Sequence, residues 1–169
     1  MSTTAMETPT GIIEVAVDGG ALVSLQFVEV STARPDDPAD RVAADPGGIR
    51  ARLRAYYAGD LSALAEIRVR FDRGTFFQQG VWRALQGIPV GETISYAELA
   101  RRVGRPSAFR AVGSANGQNP IAVVVPCHRV IAADGTLGGY GGGLDRKRWL
   151  LAHEGAMAPR DPAIPGLLA

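Results

Sequence analysis

The chain has 169 residues, 46% of them hydrophobic and 21% charged, with a net charge of +1, which is the profile of a globular protein with one or two cores. No apolar run is long enough to cross a bilayer, the polar first ten residues lack a secretory h-region, and the single cysteine excludes internal disulfides and cysteine-rich zinc clusters. A reduced, cytoplasmic setting is therefore expected.

The near-neutral total hides a split. Residues 1–72 hold seven Arg against eleven Asp and Glu, whereas residues 73–158 hold nine Arg and one Lys against five acids. Either the second half alone faces a polyanion, or this is ordinary surface scatter. In chain order, Ile13, Val15 and Val17 alternate with Glu14 and Ala16. Asp18-Gly19-Gly20 then turns the chain into a second apolar run over 21–28, a hairpin signal. Residues 31–48, rich in Pro, Asp and Ala, read as a surface loop. Ile49, Leu53, Tyr56 and Tyr57 recur at helical spacing until Gly59, and Ile67, Val69 and Phe71 alternate as one more strand. The boundary of a small N-terminal α+β domain falls near Asp72-Arg73-Gly74.

The second half changes character. Phe77, Val81, Trp82 and Leu85 predict an amphipathic helix ending at Gly87-Ile88-Pro89. Ser95 with Glu98 three residues later reads as a capping box opening a helix that runs to Gly104. A third helix spans Ala108 to about Asn116. Two short helices across a tight Gly/Pro turn fit a helix-turn-helix, and equally any compact helical domain. The third helix is lined with small residues, Ala108, Ala111, Gly113, Ser114, Ala115 and Gly117, and Arg110 is its one long cation. Such a surface accepts either a neighbouring helix or the minor groove of a duplex, where arginine and an inserted side chain unstack bases.

The apolar run 121–125 reads as a buried strand leading into Pro126-Cys127-His128-Arg129-Val130. This stretch holds the only cysteine and one of two histidines. A lone thiol beside an imidazole is either an activated nucleophile or a small buried hydrophobe. After a turn at Asp134-Gly135 comes the glycine-rich stretch 138–143, which lacks the Walker ending and any GxGxxG context, so nucleotide binding is rejected. Those glycines instead let backbone groups approach a planar ligand. Asp145 is expected to cap a last helix through Trp149-Leu150-Leu151, ending at His153-Glu154-Gly155.

Taken together, these residues resemble the O6-alkylguanine-DNA alkyltransferases (methylated-DNA–protein-cysteine methyltransferases). The likeness rests on Pro126-Cys127-His128-Arg129-Val130, on the segments from Gly74-Thr75-Phe76-Phe77-Gln78 to Trp82-Arg83-Ala84-Leu85, and on Ile94-Ser95-Tyr96. Arg110-Ala111-Val112-Gly113, Asn119-Pro120, Gly139-Tyr140-Gly141-Gly142 and the stretch from Trp149 to Gly155 complete it, in order, over essentially all of residues 74–155. The N-terminal half matches only loosely.

The resemblance implies an α+β protein of two domains. A small ribonuclease-H-like domain would occupy residues 1–74, a mainly helical winged-helix or helix-turn-helix catalytic domain residues 75–158, and a tail residues 159–169. It implies single-turnover transfer of an alkyl group from O6-alkylguanine, less so O4-alkylthymine, in double-stranded DNA to Cys127 after base flipping. His128 would act as base through a water and Glu154 would orient it, with Asn119 as a hinge and Tyr96 donating to guanine N3. Arg110 would fill the vacated stack, with Ser95, Ala111, Gly113, Ser114 and Arg129 on the DNA-facing surface. Val130, Tyr140, Gly141 and Cys127 would line the substrate pocket, the carbonyls of Cys127 and Val130 accepting from the guanine amino group. No cofactor and no obligate protein partner are implied. Structural zinc, bound by some relatives in the N-terminal domain, is excluded because residues 1–72 hold neither Cys nor His. Position 141 is glycine where some relatives carry serine. A cysteine hydrolase, or a sensor that binds alkylated DNA without transfer, are the competing readings.

Overall fold

The structure, a computed structural model, describes residues 1–29 and 45–157. Most of the loop expected over 31–48 and the tail expected over 159–169 lie outside the described residues. The chain divides into two compact units, with the boundary between Asp72 and Arg73.

In the first unit, β1 (Ser2–Thr8), β2 (Gly11–Asp18) and β3 (Ala21–Phe27) form an antiparallel meander with β2 in the middle. The β2–β3 hairpin is the expected one, with Gly19 and Gly20 at positive φ in its turn. β1 was not expected, because its polar Ser and Thr residues hide the alternation. Pairing Thr4 with Val15 and Met6 with Ile13 nevertheless puts Met6 beside the buried face of β2. Helix α1 (Ile49–Tyr57) follows a short 3-10 turn over Pro46–Gly48, which replaces the end of the expected loop. Asp45 receives the backbone N–H groups of Arg50 and Ala51, both at 3.1 Å, satisfying donors that a helix start leaves open. Ile49, Leu53 and Tyr56 are fully buried, each worth roughly 1.5–3 kcal/mol of apolar burial. The strand expected over Ile67–Phe71 is reduced to one parallel bridge, Val69 against Leu22. Leu22 N–H donates to the Arg68 carbonyl at 2.8 Å and Arg70 N–H to that of Leu22 at 3.0 Å. Beyond that bridge the half-buried Arg70 is drawn sideways to Asp18 and Asp72 rather than along a ladder.

The second unit is mainly helical: α2 (Phe76–Leu85), α3 (Tyr96–Arg102), α4 (Phe109–Gly117) and α5 (Leu144–His153), with β4 (Ile94–Ser95) pairing in parallel with β5 (Val130–Ile131). Helix α2 carries a capping box the sequence reading missed. Thr75 Oγ1 accepts from Gln78 N–H at 3.1 Å, and Gln78 Oε1 accepts from Thr75 N–H at 2.9 Å. The box expected at Ser95 is only half formed: Ser95 Oγ accepts from Glu98 N–H at 3.1 Å, but the Glu98 carboxylate turns to Arg101 and Arg102 along its own helix. Asp145 does not cap α5, whose N-cap is Gly143 without a side-chain bond; Asp145 lies inside the first turn. Buried Trp82, Leu85, Leu99, Val112, Val125 and Leu150 make the core, and Trp82 Nε1–H donates to the Ala115 carbonyl at 2.8 Å.

The apolar run 121–125 is no strand. It is a buried turn in which Val125 N–H returns to the Ile121 carbonyl at 3.0 Å and Val124 N–H to that of Ala122 at 2.8 Å. Asn119 closes it from the side, its Oδ1 accepting from Ile121 N–H at 3.0 Å and its Nδ2 donating to the Val125 carbonyl at 2.7 Å. Val123 consequently sits at φ 69°, in the left-handed region that β-branched residues rarely enter. The valines reflect burial on all sides, which an extended strand and a compact turn share.

Candidate active site

The turn delivers Cys127 at the head of a single 3-10 turn, Cys127–Arg129, which continues into β5. All three of its residues are buried, His128 completely. A buried thiol resists ionisation, and burial pushes the Cys127 thiol up. A hydrogen bond from Asn119 and the positive charge of Lys147 oppose that rise.

Behind the thiol stands a charged cluster. His128 Nε2 lies 2.6 and 3.1 Å from the two Glu154 oxygens. Arg129 grips the same carboxylate, Nε to Oε1 at 2.9 Å and Nη2 to Oε2 at 2.9 Å, and its Nη1 donates to the Ile88 carbonyl at 2.6 Å. Burial alone would raise the Glu154 carboxyl, but the hydrogen bonds and charges of His128 and Arg129 outweigh it and hold it at about 2. An ionised carboxylate accepts only, so the imidazole proton belongs on Nε2. Nδ1, buried and without a protein hydrogen-bond partner among the described residues, is then the lone pair available to take a proton. Burial depresses the imidazole pKa, with the Glu154 hydrogen bond opposing, so His128 rests neutral.

Arg129 is the one expected DNA-facing residue that the structure removes from that role. It is 6% exposed, with its guanidinium committed to Glu154 and Ile88. A charge so deep must be paired, and Glu154 pairs it. Ser95 is partly buried as the N-cap of α3, whereas Arg110, Ala111 and Ser114 are exposed on α4 and Gly113 is half-buried.

Tyr96, the first residue of α3, is half-buried. Burial raises its hydroxyl pKa, and a hydrogen bond with the Gly139 backbone opposes the rise. Its ring lies against Gly113 of α4, where an added Cβ would stand 3.6 Å away, and against Gly138 of the glycine-rich stretch. Tyr140 is half-buried and Gly141 exposed in that same stretch. A side chain at 141 would meet only the Gly117 carbonyl at 3.7 Å, so serine fits there as well. The Cys127 carbonyl already accepts from Val130 N–H and, at a long 3.4 Å, from Asn116 Nδ2.

Two residues were missed by sequence reasoning. Asn116 is buried, bonded to the Cys127 carbonyl, and its Oδ1 has no partner among the described residues. Lys147, counted above only in the charge balance, is fully buried on α5. Its ammonium donates to the carbonyls of Val130 at 2.7 Å, Gly139 at 3.1 Å and Leu137. Burial lowers its pKa to about 8, with the nearby Cys127 thiolate pulling the other way. Its sequence signal was being the only lysine among seventeen arginines. Arginine's planar fork is too broad to converge on three carbonyls from one point, whereas an ammonium suits them.

Comparison with known proteins agrees with this constellation. Residues 76–156 match the family described as 6-O-methylguanine DNA methyltransferase, DNA binding domain. A methylated-DNA–protein-cysteine methyltransferase of Mycobacterium bovis is 49% identical over 160 residues, covering 92% of this chain and 93% of that protein. The protein of the same name from Shigella flexneri is 53% identical over 113 residues, covering 67% and 66%. Among solved structures, Mycobacterium tuberculosis OGT in complex with DNA superposes with a TM-score of 0.75 at 47% identity, covering 93% of this chain and 94% of that one. With a buried thiol, a carboxylate-held imidazole and a relative 49% identical over 93% of its own length, this chain belongs to the methylated-DNA–protein-cysteine methyltransferase family.

Proposed function

We propose that this protein repairs DNA by direct reversal, moving the alkyl group of O6-alkylguanine onto its own Cys127 once per molecule. The observation that carries this reading is the only cysteine followed directly by an imidazole whose Nε2 is fixed by an ionised carboxylate and whose Nδ1 has no protein hydrogen-bond partner among the described residues. The proton of Cys127 passes to His128 Nδ1 through a water, and Glu154 stabilises the imidazolium. The thiolate attacks the alkyl carbon in line, forming the S–C bond as the C–O6 bond breaks. The electron pair stays on guanine, which takes up one proton, matching the one lost by the thiol. Donation from Tyr96 at N3 offsets charge developing on the departing base.

Base flipping brings the lesion to this buried thiol. The exposed surface of α4, with Ala111, Gly113 and Ser114, approaches the minor groove, and Arg110 occupies the emptied stack. Val130, Tyr140, Gly141 and the Cys127 carbonyl line the base pocket, the guanine amino group taking the place of the long Asn116 bond. In this reading α3 and α4 form the helix-turn-helix of a winged-helix domain, and the N-terminal sheet and α1 form a ribonuclease-H-like domain without its catalytic features. O4-alkylthymine is the minor substrate, and no cofactor or protein partner takes part.

Intact-protein mass spectrometry after incubation with duplex DNA holding one O6-methylguanine tests the proposal. One added methylene, located at Cys127 and saturating at one per molecule, is the expected result. Tight binding with no mass change would make the protein a lesion sensor, and multiple turnovers of an ester would make it a hydrolase.

A further inference from the structure

Helix α4 carries one bulky apolar group on its exposed surface. Phe109 is 50% exposed at the first position of the helix, whereas Val112 and Ala115 are buried and the remaining exposed residues include only Ala111, Ser114 and Gly117 besides Arg110. A single exposed aromatic ring is ordinary on a protein surface, and Phe76 is 93% exposed, so what marks Phe109 is its surroundings. Two features say what it meets. Arg110 beside it and Arg105 in the preceding turn are both exposed, and neither guanidinium has a hydrogen bond or ion pair among the described residues. This differs from Arg101 and Arg102 of α3, both of which pair with Glu98. The ring is thus flanked by two unneutralised cations, a setting suited to a polyanion and not to an apolar protein partner.

Helical geometry places the ring further. Residues three and four apart on a helix are neighbours. Gly113, whose added Cβ would lie 3.6 Å from the Tyr96 ring, is four residues after Phe109 and three after Arg110. Phe109 and Arg110 therefore flank from either side, one turn (about 5.4 Å) earlier, the column that leads through Gly113 to Tyr96. We propose that Phe109 is a second inserted side chain, an apolar wedge that opens the base step adjoining the gap Arg110 fills. Apolar wedges between base steps are a recurrent device of minor-groove proteins, and the energy of unstacking is offset by contact between ring and base. Phe109 is then a positioning residue for the flipped nucleotide and touches no reacting atom. This inference rests on the alkyl-transfer reading above.

The test measures single-turnover transfer from O6-methylguanine in duplex DNA, for the wild type, Phe109→Ala, Phe109→Leu and Phe109→Trp. A 2-aminopurine beside the lesion reports unstacking. Phe109→Ala is expected to slow transfer from duplex by about ten- to a hundredfold and to lose most of the 2-aminopurine signal. Its reaction with free O6-benzylguanine, which has no stack to open, should stay at the wild-type rate. Leu and Trp should restore duplex transfer, because either can wedge. If Phe109→Ala transfers from duplex at the wild-type rate with an unchanged 2-aminopurine signal, the wedge is wrong. Equal losses with duplex and with O6-benzylguanine would also overturn it, since a local role in the fold would be the cause. Failure of the wild type itself to alkylate Cys127 would instead remove the alkyl-transfer reading on which it stands.

Discussion

Gly138 and Tyr96 approach each other as only a glycine permits. A Cβ at position 138 would stand 2.9 Å from Tyr96 Oη and 3.0 Å from its Cε2, and the residue has a φ of +68°. The hydroxyl proposed to meet the departing base is therefore aimed by a backbone, which cannot rotate away as a side chain could. Gly138→Ala is expected to displace the Tyr96 ring and to cost about 1–3 kcal/mol in stability from contact and left-handed strain together. Chemical denaturation checks the cost. A Gly138→Ala variant as stable as wild type, with normal transfer, would show that the ring is not held there.

Glu154 serves two buried partners at once, so its replacement has two readouts. Glu154→Gln leaves Arg129 as an uncompensated buried cation, with an expected loss of about 3–5 kcal/mol. It also removes the charge that fixes the His128 proton on Nε2, and alkyl transfer should fall on the order of ten- to a hundredfold. Stopped-flow transfer on the folded fraction separates the two effects. Full activity in that fraction would remove Glu154 from the proton path.

Acid should unfold the protein through this same cluster. His128 has a depressed pKa when folded, so the unfolded chain binds the proton first as the pH falls below the ordinary 6.5, and stability declines from there. The Glu154 carboxyl, held at about 2 against an ordinary 4.5, adds a second loss as the pH falls from 4.5 toward 2, on the order of 3 kcal/mol when complete. Denaturation midpoints measured between pH 7 and pH 3 should drop in both windows. A flat profile would contradict the charge states assigned to the pair.

Lys147→Met keeps the length of the side chain and removes its ammonium. The carbonyls of Val130, Gly139 and Leu137 lose their common donor, for an expected cost of about 2–4 kcal/mol. The Cys127 thiol loses a neighbouring positive charge that lowers its pKa, so the pH midpoint for alkylation by iodoacetamide should move up. An unmoved midpoint would limit Lys147 to a tether.

The acceptor segment was legible because its chemistry is local in sequence. Cys127 and His128 are adjacent, and Glu154 follows the last apolar residues of α5. Arg129 shows where locality ends. The resemblance placed it on the surface facing DNA, yet its partner Glu154 lies 25 residues further on, and only the folded chain reveals that the two neutralise each other. Lys147 showed in the sequence only by its rarity, since its partners are main-chain carbonyls, which leave no trace in composition. The strand misread over 121–125 failed on Asn119, whose side chain replaces the ladder bonds that a strand would need. The missed β1 is the opposite case, a polar edge sequence ordered by its pairing with β2.

The three-way grip of Lys147 has a practical corollary. It is the only lysine in the sequence, and its amine is spent on carbonyls of the two segments that flank the reactive turn. Amine-directed reagents should therefore find no reactive side chain on the folded protein. The rate at which Lys147 becomes labelled would then serve as a built-in clock for how often β5 and the glycine-rich stretch come apart.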